Sequence, residues 1–342
     1  MCGQRGWLWT TPIGLVPDVG GARYRLRVET DILGLPYERQ TIELGTDDEG
    51  PVVATLVRRR AQRPTNRAVL YVHGYNDYFF QVHLADHYVD RGFDFYAIDL
   101  RKYGRSLLPH QTPNFIHRVS DYFPELDEAA RVIREDDGHD RLLVNAHSTG
   151  GLITALWTHH ARDARVVDAM FLNSPFFEFN VARLTRGTIG PLFGAITRFR
   201  PYAKVRSGVS TVYGHSIHAD HHGEWKFDTT WKPVIGFTPR AAWLTAIRAA
   251  QARLRAGLNI PAPVLVACSM RSYKRPTWSD EARSADAVLD VEHIARWAPS
   301  LGQHVTIVRI EGGLHDLALS APPVRERVFA ELDRWLAAYL PS

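Results

Sequence analysis

Cysteine is nearly absent from this chain, with two in 342 residues, Cys2 and Cys268. Two cysteines cannot build a disulfide framework, and Cys268 sits in an apolar run where any small hydrophobe would serve, so a reducing, cytoplasmic setting is expected. Long hydrophobic runs are missing too. No stretch approaches the roughly 20 apolar residues of a membrane-spanning helix, so no stable membrane insertion is expected. The apolar stretch from Trp7 to Val16 is broken by Thr10, Thr11 and Pro12, and no small-residue cleavage pattern follows, which argues against a secretory leader. Cys2 lacks the preceding hydrophobic region of a lipoprotein cysteine. A large charge of one sign is also lacking, the formal net charge being +4. The basic cluster Arg58, Arg59, Arg60, Arg63 and Arg67 lies between two apolar patterns without interleaved aromatics. It reads as a solvated loop, and no nucleic-acid partner is expected. Internal repeats and low-complexity tracts are absent. What remains is a 45% hydrophobic chain, enough for the core of one large α/β domain with an inserted subdomain.

Alternating or apolar runs at about 23–29, 37–44 and 51–58, separated by Gly34, Pro36, Asp47, Asp48 and Gly50, predict an opening antiparallel meander. From residue 68 short apolar strands alternate with helical periods. The strands are expected at Ala68–Val72, Phe93–Ile98, Arg141–Asn145, Ala169–Leu172, Val264–Cys268 and Val305–Ile310. That rhythm predicts a mostly parallel sheet with helices on both faces, and functional residues at the carboxyl ends of its strands. Leu152, Ile153, Leu156 and Trp157 mark the core face of one helix. Val324, Val328, Leu332, Trp335, Leu336 and Tyr339 mark that of the last, which opens on Pro322 and Pro323. Between about 177 and 260 the alternation fails over more than eighty residues, and an inserted cap is the economical explanation. It is expected to end in a helix capped by Thr238, with Pro239 at the first position, Trp243, Ile247, Ala250 and Leu254 on one face and Gly257 as the stop.

The run Leu142 to Gly151 reads as a buried strand that ends abruptly at Ser148 and restarts as a helix. That is the pattern of a nucleophile elbow, in which a sharp turn exposes a serine hydroxyl. Ala146 stands where the usual pattern has its first glycine, and Gly150 fills the second. Tyr71 to Asp77 follows the first parallel strand, and its His73-Gly74 turn brings a main-chain N–H beside the nucleophile. Tyr75 and Thr149 are therefore the expected oxyanion donors. The run Asp99 to Ser106 reads as structural support. Among sixteen histidines, His315 stands out because it lies in the glycine-rich loop Gly312-Gly313-Leu314-His315 after the last strand, in the order and place of a general base.

These pieces, with Ile260 to Val266, resemble the monoglyceride lipase and lysophospholipase branch of the α/β-hydrolase superfamily, whose members also appear under the serine aminopeptidase heading. The matching segments run from residue 68 to 316. The resemblance implies the α/β-hydrolase fold, with core segments at 1–176 and 261–342 and a cap at 177–260. It also implies a Ser-Asp-His triad in chain order, no cofactor, and small acyl esters as substrates.

The acid departs from that pattern. An aspartate is expected a few residues after the strand ending near Cys268, yet Ser269 to Ala285 has no tidy Gly-x-x-Asp turn, as if some seventeen residues were inserted. The run from Ala285 to Asp290 looks like the turn that normally opens the next helix. Asp286 is the preferred acid, with Asp290, Asp280 and Glu178 as alternatives, since the role needs only a buried carboxylate. Tyr78, Phe79 and His147 are the candidate substrate-binding residues; Phe80 and the cap residues Leu192, Phe193, Ile196 and Phe199 suggest an acyl pocket or plain core. His215, His218, Asp220, His221, His222 and Glu224 invite a zinc reading, but their spacing matches no standard helical pair. The neighbours Tyr213, Trp225, Phe227 and Trp231 read instead as a packed loop, and no metal is assigned. The rival readings are an aminopeptidase-like amide hydrolase, with Glu178 or Glu224 holding the substrate amine, and a binding protein without turnover. The sequence leaves the oligomeric state open, a homodimer included.

Overall fold

The structure, a computed structural model, describes residues 28–180, 197–205 and 211–341. Its centre is a nine-stranded sheet in the order β1-β2-β3-β5-β4-β6-β7-β8-β9. The strands are β1 (Val28–Thr30), β2 (Glu38–Asp47), β3 (Gly50–Arg59), β4 (Arg67–Val72), β5 (Asp94–Asp99), β6 (Arg141–His147), β7 (Ala169–Asn173), β8 (Val264–Ser269) and β9 (Val305–Ile310). β1 to β3 form the antiparallel meander and meet β5 antiparallel; the rest pair parallel. All six strands expected from residue 68 onward are present within one or two residues of their expected ends.

Side chains alternate across the sheet because the strand period is two. Ala68, Leu70 and Val72 of β4 share one core with Leu142, Val144 and Ala146 of β6, while Val69, Tyr71 and Leu143 belong to the opposite one. α1 (Val82–Val89) and the last helix, α7 (Pro322–Tyr339), cover the second face. The first is covered by α2 (Phe123–Arg131), α3 (Thr149–His160), α5 (Ala241–Arg255) and α6 (Val291–Trp297). A short helix, α4 (Val212–Ile217), packs with the loops above the strand ends. No described helix is long and apolar enough to cross a membrane.

Four expectations need correction. The helix expected from Pro239 begins at Ala241, and its cap position is Arg240, without a side-chain bond from Thr238. An antiparallel bridge between Lys204 and Arg240 and a bond from Val205 N–H to Pro239 O hold that stretch extended. The same helix was expected inside the cap, yet Trp243, Ile247 and Leu254 lie in one core with Leu152 and Trp157, so α5 covers the sheet. Tyr339, expected on the buried face of α7, is 45% exposed and lies against Trp335 near the helix end. Leu192, Phe193 and Ile196 lie outside the described residues, and Phe199 is exposed.

Candidate active site

Strand register brings Val72 beside Ala146, His147 beside Asn173, and Ser269 beside Ile310, so the segments leaving β4, β6, β7, β8 and β9 converge on one edge. Ser148 follows β6 with φ 51° and ψ −116° and caps α3. A left-handed backbone is costly for a serine and is retained here by its surroundings. Ser148 N–H donates to Asn173 O at 3.0 Å, and the Ser148 carbonyl accepts from Gly151 and Phe176. Gly150 is required, because a Cβ there would stand 2.4 Å from His73 O and 2.6 Å from Val72 O.

The Ser148 hydroxyl lies 3.0 Å from His315 Nε2, and His315 Nδ1 lies 2.9 Å from Asp286 Oδ2. A carboxylate only accepts, so the proton belongs on Nδ1 and the Nε2 lone pair faces the serine. Asp286 is fully buried, and its other oxygen accepts from Val288 and Leu289 N–H, each at 2.8 Å. The stretch after β8 closes on itself: Ser272 and Asp286 form a parallel bridge, Asp286 N–H donates to Arg271 O, and Tyr273 N–H donates to Asp286 O. The extra residues leave and return, which delivers Asp286 to the end of β8. Asp290 instead caps α6 and pairs with Lys274. Asp280 opens a separate helical turn, and Glu178 accepts from Trp297 Nε1 at 2.7 Å.

The histidine loop is pinned from β7. Asn173 donates through Nδ2 to Asp316 Oδ1 at 2.7 Å and accepts from Leu317 N–H at 3.2 Å. On the other side, the turn after β4 passes so close to Ser148 that a Cβ on Gly74 would lie 3.0 Å from Ser148 Cβ. His73 donates through Nδ1 to Gly74 O and accepts from Leu100 N–H at Nε2, the pattern of a neutral ring. Burial pushes its pKa down, in agreement. As expected, the Asp99 to Ser106 run is a brace: Asp99 accepts from Phe79 and Arg105, and Arg105 forks onto Asp31.

A cavity of about 700 Å³ opens over these groups, lined by Tyr75, His147, Ser148, Thr149 and His315 together with Phe176, Phe179, Ile217, Trp243 and Leu289. Tyr78 and Phe79, expected to touch substrate, do not line it. Consecutive residues of this turn face opposite ways: the Phe79 ring packs beneath the sheet against Tyr37, Tyr71 and Phe95, and Tyr78 packs on Phe80 and Trp231. His147 does line it. Burial alone would lower the His147 pKa, but the carboxylates of Asp316 and Asp77 outweigh it and the net shift is upward.

Sequence reasoning missed Asp77, Lys232 and Asn173. Lys232 Nζ lies 2.7 Å from Asp77 Oδ1 with both groups buried. Burial would raise the Asp77 carboxyl, yet Lys232 and His147 hold it well below the usual range. Asp77, His147 and Asp316 bring ligand-type atoms within 4.8 Å of one another, the one such group among the described residues. The Lys232 ammonium already supplies a cation there, and Asp316 is engaged by Asn173, Gln81 and Ala318 N–H. Asp77 Oδ1 and Asp316 are thus engaged within the chain, whereas Asp77 Oδ2 and both ring nitrogens of His147 have no hydrogen-bond partner, His147 Nδ1 lying 3.5 Å from Asp77 Oδ2. In the histidine-rich stretch His221 lies 4.4 Å from His215 and 5.9 Å from His218 between ring centres, His222 stacks on Trp278 at 3.4 Å and His218 lies edge-on to Phe227, but no three ligand-type atoms come together there among the described residues.

The strand order, the serine at a strained strand-helix turn and the histidine after the last strand define an α/β-hydrolase. Residues 63–272 match the model of the serine aminopeptidase S33 family, more than half of the chain, and the chain belongs to that family. No curated protein matches it in sequence. Among solved structures it is similar to a soluble variant of monoglyceride lipase from Saccharomyces cerevisiae in complex with a substrate analog. That likeness has TM-score 0.64 and 16% identity, and covers 93% of this chain and 99% of that one. It is also similar to a monoacylglycerol lipase from Paleococcus ferrophilus, with TM-score 0.59, 17% identity and coverage of 88% and 99%. Est1E from Butyrivibrio proteoclasticus, described with ferulic acid bound, matches at TM-score 0.54 and 14% identity over 88% of this chain and 100% of that one. At such identities these likenesses carry the fold.

Proposed function

We propose that the protein is a serine carboxylic-ester hydrolase acting on small acyl esters, acylglycerols and lysophospholipids among them. The observation that carries this reading is the relay from Ser148 through His315 to Asp286, at 3.0 and 2.9 Å, at the floor of a largely apolar cavity. Ser148 attacks the acyl carbonyl as its proton passes to His315 Nε2. The main-chain N–H groups of Tyr75 and Thr149 take the oxyanion, the second because the first amides of a helix have no partner within it. The imidazolium then protonates the leaving alcohol, and water releases the acid from the acyl-enzyme by the same route. The described stretch 211–237 covers the cavity in this reading, with the core on either side. Cytoplasmic residence fits the buried free thiol of Cys268.

The family heading raises amide hydrolysis as a second reading, which needs a carboxylate to hold the substrate amine. Glu178 is taken by Trp297 and lies 3.7 Å from His293, and Glu224 pairs with Arg325 on the surface. Neither lines the cavity, and Asp77, a carboxylate that does, is paired with Lys232, which favours esters. The test is initial-rate hydrolysis of p-nitrophenyl esters from acetyl to palmitoyl, against aminoacyl p-nitroanilides, with Ser148→Ala prepared identically. Ester turnover in the parent alone is expected. Anilides cleaved faster than esters, or equal rates in Ser148→Ala, would overturn the reading.

A further inference from the structure

Asp77, His147 and Lys232 are buried ionisable groups beside Ser148 that the relay itself does not use. Lys232 reaches Asp77 from 155 residues away, and its ammonium also lies 5.5 Å from the Phe227 ring centre and 5.7 Å from that of Phe80. A buried ion pair is an expensive way to join two segments, since both charges lose their water. It is also not alone. Every residue from Tyr75 to Tyr78 is bonded to the stretch 228–237. Tyr75 donates from its hydroxyl to Phe237 O at 3.1 Å. Asn76 donates to Pro233 O at 3.1 Å and accepts from Phe237 N–H at 3.0 Å. The Tyr78 hydroxyl accepts from Asp228 N–H at 2.7 Å.

The turn so gripped is the one that presents the Tyr75 N–H. Asn76 within it has φ 52°, a left-handed conformation that must be held from outside. An oxyanion donor stabilises the transition state only if it is fixed before charge develops. The Thr149 N–H is fixed by the start of α3, but the Tyr75 N–H depends on how its turn is held.

We infer that the stretch 228–237 clamps the oxyanion turn, and that Lys232, through Asp77, is a positioning residue for catalysis. This rests on the ester-hydrolase reading of the same site. Lys232 touches no reacting atom; it sets where the Tyr75 N–H points.

The test uses the full chain with Lys232→Met, Lys232→Arg, the double variant Asp77→Asn/Lys232→Met, which strands no buried charge, and Asn76→Gly, which removes both Asn76 bonds but tolerates the left-handed backbone. Each is measured by thermal melting, by kcat and KM on a p-nitrophenyl ester, and by inhibition with a trifluoromethyl ketone. The ketone adds to Ser148 Oγ to give a tetrahedral oxyanion and so reports the donors directly. Lys232→Met and the double variant should lose about 10- to 100-fold in kcat, with KM moving less than threefold and ketone binding weakening in parallel. Lys232→Arg should recover most of the loss, and Asn76→Gly should lose about fivefold or more. Folded variants that keep kcat and ketone affinity within twofold of the parent would overturn the clamp, as would a change in KM alone. If the charge variants fail to fold, Asn76→Gly decides between the same outcomes. Failure of the ester-hydrolase reading is separate, because there the parent itself shows no ester turnover and no ketone inhibition.

Discussion

Ser148 and Tyr75 follow neighbouring strands, β6 and β4, yet the two sides of the site are held in different ways. The serine side is held within the core: Asn173 fixes both the elbow and the histidine loop, and Asp286 is locked by two amides of its own turn. The Tyr75 side takes its bonds from residues 228–237, about 155 positions away in the chain. On the proposed reading, the nucleophile and its base are preformed by the sheet, while the oxyanion turn depends on what covers it. The contrast also separates two kinds of damage, one that removes the chemistry and one that misaligns it.

The largest effect that sharpens this contrast belongs to the acid. Asp286→Asn leaves the geometry but donates to Nδ1 where a carboxylate accepts, which stabilises the wrong tautomer; kcat should fall about 10³- to 10⁴-fold. Asp290→Asn should stay within about twofold in kcat, since its carboxylate caps α6 and lies apart from His315. Kinetics on the matched pair distinguishes the two aspartates. Asn173→Ala comes next. It removes two bonds to the histidine loop and leaves buried polar groups unsatisfied, so kcat should drop about tenfold and stability by about 1–3 kcal/mol, read by urea unfolding. No change in either quantity would show that the loop holds itself.

The smallest effect is on stability against pH. Burial pushes the His87 pKa down to about 4, only partly opposed by the Asp333 carboxylate, and burial also lowers His73. Below about pH 6.5 the unfolded chain takes up protons that these folded histidines refuse, so the melting temperature should fall as pH drops from 6.5 toward 4. His147 works the other way, because its raised pKa stabilises at low pH and that contribution fades as pH rises through the folded value. His87→Gln should flatten the acid side of the melting curve; an unchanged slope would rule out His87 as its source.

Local signals made the sheet, the elbow and the histidine loop legible. Short apolar runs end at Val72, Asn145, Leu172, Cys268 and Ile310, within two residues of the observed strand ends, and small residues follow where backbones nearly touch, as at Gly150. Asp286 was reachable because a hydrophobic turn and a helix start follow it. What escaped depends on facing and distance. Tyr78, Phe79 and Phe80 are adjacent aromatics, and nothing in their order says that all three pack into hydrophobic clusters and none lines the cavity. The Lys204–Arg240 bridge that delays α5 joins residues whose pairing has no local signature. Lys232 and Asp77 stand 155 positions apart with no pairing signal in the sequence; only the fold brings them together in a buried pair.

The most direct test of the account is to trap the nucleophile. The protein is treated with a fluorophosphonate at neutral pH, and the adduct is located by peptide mass mapping in the parent, His315→Ala and Asp290→Asn. The account predicts one adduct per chain on Ser148, formed in the parent and in Asp290→Asn and largely lost in His315→Ala. Ester hydrolysis that persists with Ser148 unmodified, or an adduct on another residue, would contradict it.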